Sequence, residues 1–184
     1  MTFYNIVFGI IFLAAVRELL QAAFDRRWTA FFQAATLSLV IFNDVIFTAH
    51  EIEELRLFYN IHMKIIDLLL FLLLALAVVI IEPKENVLQI RAGGRDGRKL
   101  REFNLWLVLT AYWILALGWD WVGRVYSGRP PLVWVLPLLM LIPFAALAAA
   151  TFKGKETAAT GILRPVMPLL MLGYIGIFKY FLYY

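Results

Sequence analysis

Long apolar runs, interrupted every twenty or so residues by charge or turn chemistry, dominate the chain. A helix needs roughly 20 apolar residues to cross the hydrocarbon core of a bilayer. Six stretches reach that length: 3–24, 28–49, 61–82, 103–123, 131–152 and 162–183. The pattern predicts an all-α, polytopic integral membrane protein: one transmembrane domain over 1–184, with about six spans and short loops. The first stretch lacks the basic n-region and small-residue cleavage site of a signal peptide, so it reads as a retained span. The longest predicted loop, 83–101, opens with Pro83 and carries Val87-Leu88-Gln89-Ile90, then Gly93-Gly94-Arg95-Asp96-Gly97. An apolar patch followed by a glycine turn predicts a small hairpin or an ordered loop. The glycines do not read as a phosphate loop, because no strand, GxxxxGK run or helix start surrounds them.

Between Asp44 and Glu82 there is no Gly or Pro, so the connection 50–60 is itself expected to be helical. Helix five contains Pro137 and Pro143, the second predicted to kink it. Helix six is expected to hold Pro165 and Pro168 in its first turns, where a missing N–H costs little. The run Ala145-Ala146-Leu147-Ala148-Ala149-Ala150 lets backbones approach closely and predicts a helix–helix contact within or between protomers.

Composition agrees with the membrane class: 63% of residues are hydrophobic and 16% charged, against about half apolar and about a quarter charged in soluble domains. The absence of cysteine excludes disulfides, thiolate metal sites and thiol nucleophiles, and leaves the redox compartment undetermined. Basic residues set the expected orientation. Arg26, Arg27, Lys84, Arg91, Arg95, Arg98, Lys99, Arg101, Lys153, Lys155 and Arg164 fall on one side, eleven in all. Arg56, Lys64, Arg124, Arg129 and Lys179 fall on the other, which is five. The richer side is predicted cytoplasmic, placing both termini on the non-cytoplasmic side of a cell (inner) membrane. Arg91, Arg95, Arg98, Lys99 and Arg101 would then meet anionic headgroups or a partner, at about 1 kcal/mol each near an anionic surface. Trp28 and Trp106 sit at one predicted boundary, and Trp119, Trp121, Tyr126 and Trp134 at the other, as interfacial aromatics do. Trp113 falls mid-span and reads as a packing residue.

Polar residues inside spans are the informative ones, because in lipid they cost several kcal/mol and normally face a bundle interior or water. On helix two, Thr29, Gln33, Thr36, Val40, Asn43, Phe47 and His50 recur at steps of four and three and share one face, with Asp44 one step round. This predicts an inward-turned helix. Lys64 and Asp67 stand three apart on helix three and suit a local pair. At about 1.5 Å rise per residue, Asp44 lies about 9 Å below His50 and Asp67 about 8 Å below His62, a similar depth, and Asp120 approaches from helix four. Arg17 and Glu18 point about 100° apart and need separate partners. No ionisable residue falls near the midplane, which counts against a proton-coupled carrier with a central acid.

Catalytic motifs are scarce. His50-Glu51-Ile52-Glu53-Glu54 departs from the zincin HExxH at its last position. His50 and Glu54 could still hold one metal, with His62 and Asp67 as further ligands, although a solvated membrane-edge cluster is the plainer reading and no cofactor is expected. The histidines could also report external pH. Ser38 and Ser127, the two serines, lack the glycine setting of an intramembrane protease. Three expectations follow. The first is a small oligomeric protein forming or gating an ion or small-solute pathway through Arg17, Glu18, Gln33, Thr36, Asn43, Asp44, Lys64, Asp67 and Asp120. The second is a non-catalytic subunit docking partner membrane subunits. The third is a membrane enzyme working at the outer face. Nucleic acid is not an expected partner.

Overall fold

A computed structural model describes residues 2–54, 61–81, 95–127, 132–152 and 158–183. They form six helices and, among the described residues, no strand: α1 (Thr2–Phe24), α2 (Trp28–Glu54), α3 (Ile61–Ile81), α4 (Arg95–Ser127), α5 (Leu132–Phe152) and α6 (Ala158–Tyr183). Each predicted span corresponds to one helix. Ile6–Phe24, Ile61–Ile81, Glu102–Val122 and Thr160–Ile177 are long and apolar enough to cross a membrane, and Pro137–Phe152 is a shorter apolar stretch. The second helix has the length but carries Thr29, Gln33, Thr36, Ser38, Asn43 and Asp44, and packing rather than apolarity explains its place. The outward surface is a continuous coat of large apolar side chains, among them Ile10, Leu13, Leu72, Leu76, Ile114, Ile142 and Leu169. Water does not tolerate so extended an apolar surface on a monomer; lipid does. The molecule is a helical membrane protein.

Two helix starts differ from the sequence expectation, and one extension agrees with it. The glycine-containing segment after Gly94 is helical: α4 starts at Arg95, so Arg95, Arg98, Lys99 and Arg101 stand on a helix and the predicted loop 83–101 is shorter. The rest of that loop, with Arg91, lies outside the described residues. The second helix runs on to Glu54, as the lack of Gly and Pro there predicts, and residues 55–60 again lie outside. The sixth helix begins at Ala158, which puts Pro165 and Pro168 in its interior rather than its first turns. The carbonyls of Gly161 and Arg164 therefore lack their usual i+4 donors. The fifth helix continues past Pro137 and Pro143 to Phe152.

The turn between the first two helices is tight. The Arg27 N–H donates to the Ala22 carbonyl at 2.8 Å and the Arg26 N–H to the Ala23 carbonyl at 3.1 Å, closing α1 with a Schellman motif. Arg26 takes the left-handed conformation this motif demands, at φ 54°, although glycine suits it better by about 1 kcal/mol. The Arg27 carbonyl then accepts the first α2 bond, from the Phe31 N–H at 2.9 Å.

The helix neighbours close a ring. In order, α1 packs on α2, α2 on α6, α6 on α5, α5 on α4, α4 on α3, and α3 back on α1; one further contact, α2 with α3, crosses the ring. Among the described residues no Cα of α2 comes within 8 Å of one in α4. Side chains fill the space between them. The largest fully buried ones are Trp106, Trp113, Tyr112, Phe8 and Phe144. Trp113 meets Tyr174 edge-on at a centroid distance of 5.1 Å, with Phe144 at 5.8 Å and Tyr112 at 5.6 Å.

Candidate functional site

The inward face of α2 begins at Thr36. Thr29 is exposed and Gln33 half-buried, whereas Thr36, Val40, Asn43 and Asp44 are buried. The predicted stripe is thus inward over its described upper half, and the side chains of Phe47 and His50 lie outside the described residues. Rotation around the helix separates its members. Asp44 shares a face with Leu37 and Ile41, and Asn43 is turned about 100° from it. Phe42, the next step round from Asn43, packs against Phe12 of α1 at 6.2 Å. Asn43 therefore faces away from α1, and α6, the other ring neighbour of this helix, covers it.

Asp44, 6% exposed, makes the interaction that defines the site. The Tyr112 hydroxyl donates to Asp44 Oδ1 at 2.8 Å. This bond spans the ring interior between two helices whose backbones do not touch. Other buried atoms have no hydrogen-bond partner among the described residues: Asn43 Oδ1 and Trp113 Nε1, on residues adjacent in sequence to this pair, and Ser38 Oγ and Trp119 Nε1, about two turns along their helices from it. The hydroxyls of Thr36, Thr110 and Thr151 behave differently. Each donates to a carbonyl one turn back on its own helix, at 2.7–2.8 Å.

A second polar node sits at the end of the bundle that carries the α1–α2 turn. Glu102 Oε1 accepts from the Arg164 Nε–H at 2.5 Å and from the Trp106 indole N–H at 3.2 Å, tying α4 to α6. Both charged side chains are mostly enclosed, at 12% and 14% exposure. Phe103 and Phe152 pack together at 5.2 Å near the same level.

The remaining predicted residues are dispersed. Glu18 is buried and Arg17 exposed, on different faces as their 100° separation requires. Asp67 is buried on the inward face of α3 with Met63, Leu70 and Leu74, while Lys64 and His62 are exposed and Asp120 is half-buried. The side chains of His50 and Glu54 lie outside the described residues, as do those of Arg95, Arg98, Lys99 and Arg101. Among the described residues no group of three or more His, Asp or Glu side chains gathers at metal-binding spacing.

Two interface assignments are corrected. Trp28 and Trp121 are exposed, as expected at a boundary, but Trp106 and Trp119 are buried. Both lie on the inward face of α4, where rotation rather than depth decides. Sequence reasoning also missed Tyr112, Tyr174 and Glu102. A signal existed for Tyr112: a phenol at mid-span in lipid needs a partner for its hydroxyl. Chemically, the site is a carboxylate–phenol pair in a low-dielectric interior, flanked by an amide acceptor and indole donors. That set can hold water, pass a proton, or hold a small polar solute. No family model, curated protein or solved structure matches the chain.

Proposed function

We propose that this protein forms or gates a pathway for an ion or a small solute, working as an oligomer in the cell (inner) membrane with both termini on the non-cytoplasmic side. One observation carries the reading: the Asp44–Tyr112 bond across the ring, beside a buried amide oxygen with no partner among the described residues. A bundle selected only to pack would place apolar groups there, because each unmatched polar group in a membrane interior costs several kcal/mol. Trp106, Tyr112, Trp113 and Phe144 fill the ring, so the arrangement suits a closed gate. Opening would move this aromatic group or use an axis shared between protomers. The excess of basic residues at the α1–α2 turn end supports a cytoplasmic assignment for it, with the basic first turns of α4 near anionic headgroups.

The test is flux into proteoliposomes, with protons and potassium followed by dyes and glycerol by light scattering. Wild-type protein should admit at least one probe, and Asp44→Asn and Asn43→Leu should each cut that flux about tenfold, the scale of one lost hydrogen bond in the path. The native mass after gentle extraction should not change. Unchanged flux in both variants, or wild-type vesicles no leakier than protein-free ones, would sink the reading. A second reading, a non-catalytic subunit of a larger assembly, draws on α6. Positions for a Cβ at Gly161, Gly173 and Gly176 meet nothing within 4 Å, leaving backbone open to a helix of another chain. A defined hetero-complex at the native-mass step favours that reading over the first.

A further inference from the structure

Of the buried atoms without a partner among the described residues, those of Asn43 and Trp113 are not satisfied by their own local backbone. Ser38 can rotate its hydroxyl toward the carbonyl one turn back, as Thr36, Thr110 and Thr151 do. Trp119 lies three residues before the end of the apolar stretch Glu102–Val122, within reach of boundary water. Asn43 and Trp113 have neither escape. The Asn43 Oδ1 is an acceptor, and mid-helix N–H groups are already used by the helix. The Trp113 indole N–H is a donor that cannot reach its own backbone. Asn43 is 7% exposed and Trp113 1%. They are the residues next to Asp44 and Tyr112, so the bond between those two fixes them at one level of the bundle.

We infer that water is bound inside the bundle at this level, donating to Asn43 Oδ1 and accepting from the Trp113 indole N–H. Water supplies both polarities, and a buried water typically makes about three hydrogen bonds to otherwise unsatisfied groups. Crowding selects its size. Trp113 is enclosed by Tyr112, Phe144 and Tyr174 at centroid distances of 5.1–5.8 Å, which excludes larger solutes from the indole edge in this conformation. The assignment stands whether or not the protein conducts, because it follows from buried atoms alone. In a conducting protein it would supply the hydrated step beside the carboxylate–phenol pair.

Radiolytic hydroxyl-radical footprinting of the full chain in lipid nanodiscs tests it, since radicals form from water molecules where they sit. Trp106 is the internal standard: it is the same residue type and 0% exposed, but its indole N–H is satisfied by Glu102. Trp113 should oxidise several-fold faster than Trp106, and Asn43→Leu should bring it down to the Trp106 rate. Equal or slower oxidation of Trp113 in the wild type overturns the inference. So does rapid oxidation that persists in Asn43→Leu, which would place the water elsewhere. Should Asn43→Leu fail to fold, the wild-type ratio decides alone. Loss of flux with a high Trp113 rate, or the reverse, separates this inference from the proposed pathway.

Discussion

The bundle contains two polar nodes built on opposite plans. At the α1–α2 turn end, Glu102 meets two donors: a guanidinium from α6 and an indole from its own helix. In the ring interior, Asp44 takes a phenol from α4 while the amide oxygen beside it has no partner among the described residues. A polar group inside a membrane protein can thus be a rivet or a resource, and the presence of charge does not distinguish them. The number of unmatched donors and acceptors around it does. A rivet is complete without solvent, whereas a resource leaves capacity that only water or a solute can use.

This contrast can be broken by mutation. The largest effect is expected at the rivet. Arg164→Ala or Glu102→Ala strands a mostly buried charge and should cost about 3 kcal/mol in SDS-titrated unfolding, while Glu102→Leu with Arg164→Met should recover most of it. A loss below about 1 kcal/mol would mean that the pair is effectively solvated. Glu102→Gln should leave flux far less affected than Asp44→Asn; equal losses would erase the distinction between the nodes. The next effect is smaller. Tyr112→Phe removes the bond across the ring and should cost about 1 kcal/mol, with a similar coupling to Asp44→Asn in a double-mutant cycle. Zero coupling would show that the two side chains do not depend on each other. Smallest is the surface reference: Arg26→Gly should stabilise by up to about 1 kcal/mol by relieving the left-handed φ. A destabilised Arg26→Gly would show that the arginine side chain matters more than the backbone strain.

Much of the architecture was legible because lipid leaves helices little choice. Apolar length located the helices, with α2, the bearer of Gln33, Asn43 and Asp44, outside the described stretches apolar enough to cross by composition, and the period of Thr36, Val40 and Asn43 gave the inward turn of α2. The errors fell where a local signal was overruled. Gly93-Gly94-Arg95-Asp96-Gly97 reads as a turn, yet the helix starts at Arg95, with Asp96 in the first turn where a helix N-terminus favours an acid. Trp106 and Trp119 stand at boundary depth but on the buried face, and the spacings Trp106, Leu109, Trp113 and Tyr112, Trp119 carried that information. The site itself was half visible. Asp44 and Asn43 stood out as polar groups at membrane depth, but their setting depends on Tyr112, 68 residues away, and the rivet joins residues 62 apart. No local pattern encodes which helices become neighbours, so neither pairing was readable.

The ring order has a consequence for synthesis. The first three helices touch one another and can assemble as soon as they leave the ribosome. The face of α2 that carries Asn43 gains its cover only when α6, made after the other five, slides in between α2 and α5. Until then a polar amide faces lipid or whatever insertion machinery shelters it. Ribosome stalling or truncation before α6 would leave a partly built protein bearing that amide as a mark of incompleteness, open to a membrane chaperone or a protease. The same residue would then report, during biogenesis, whether the ring has closed.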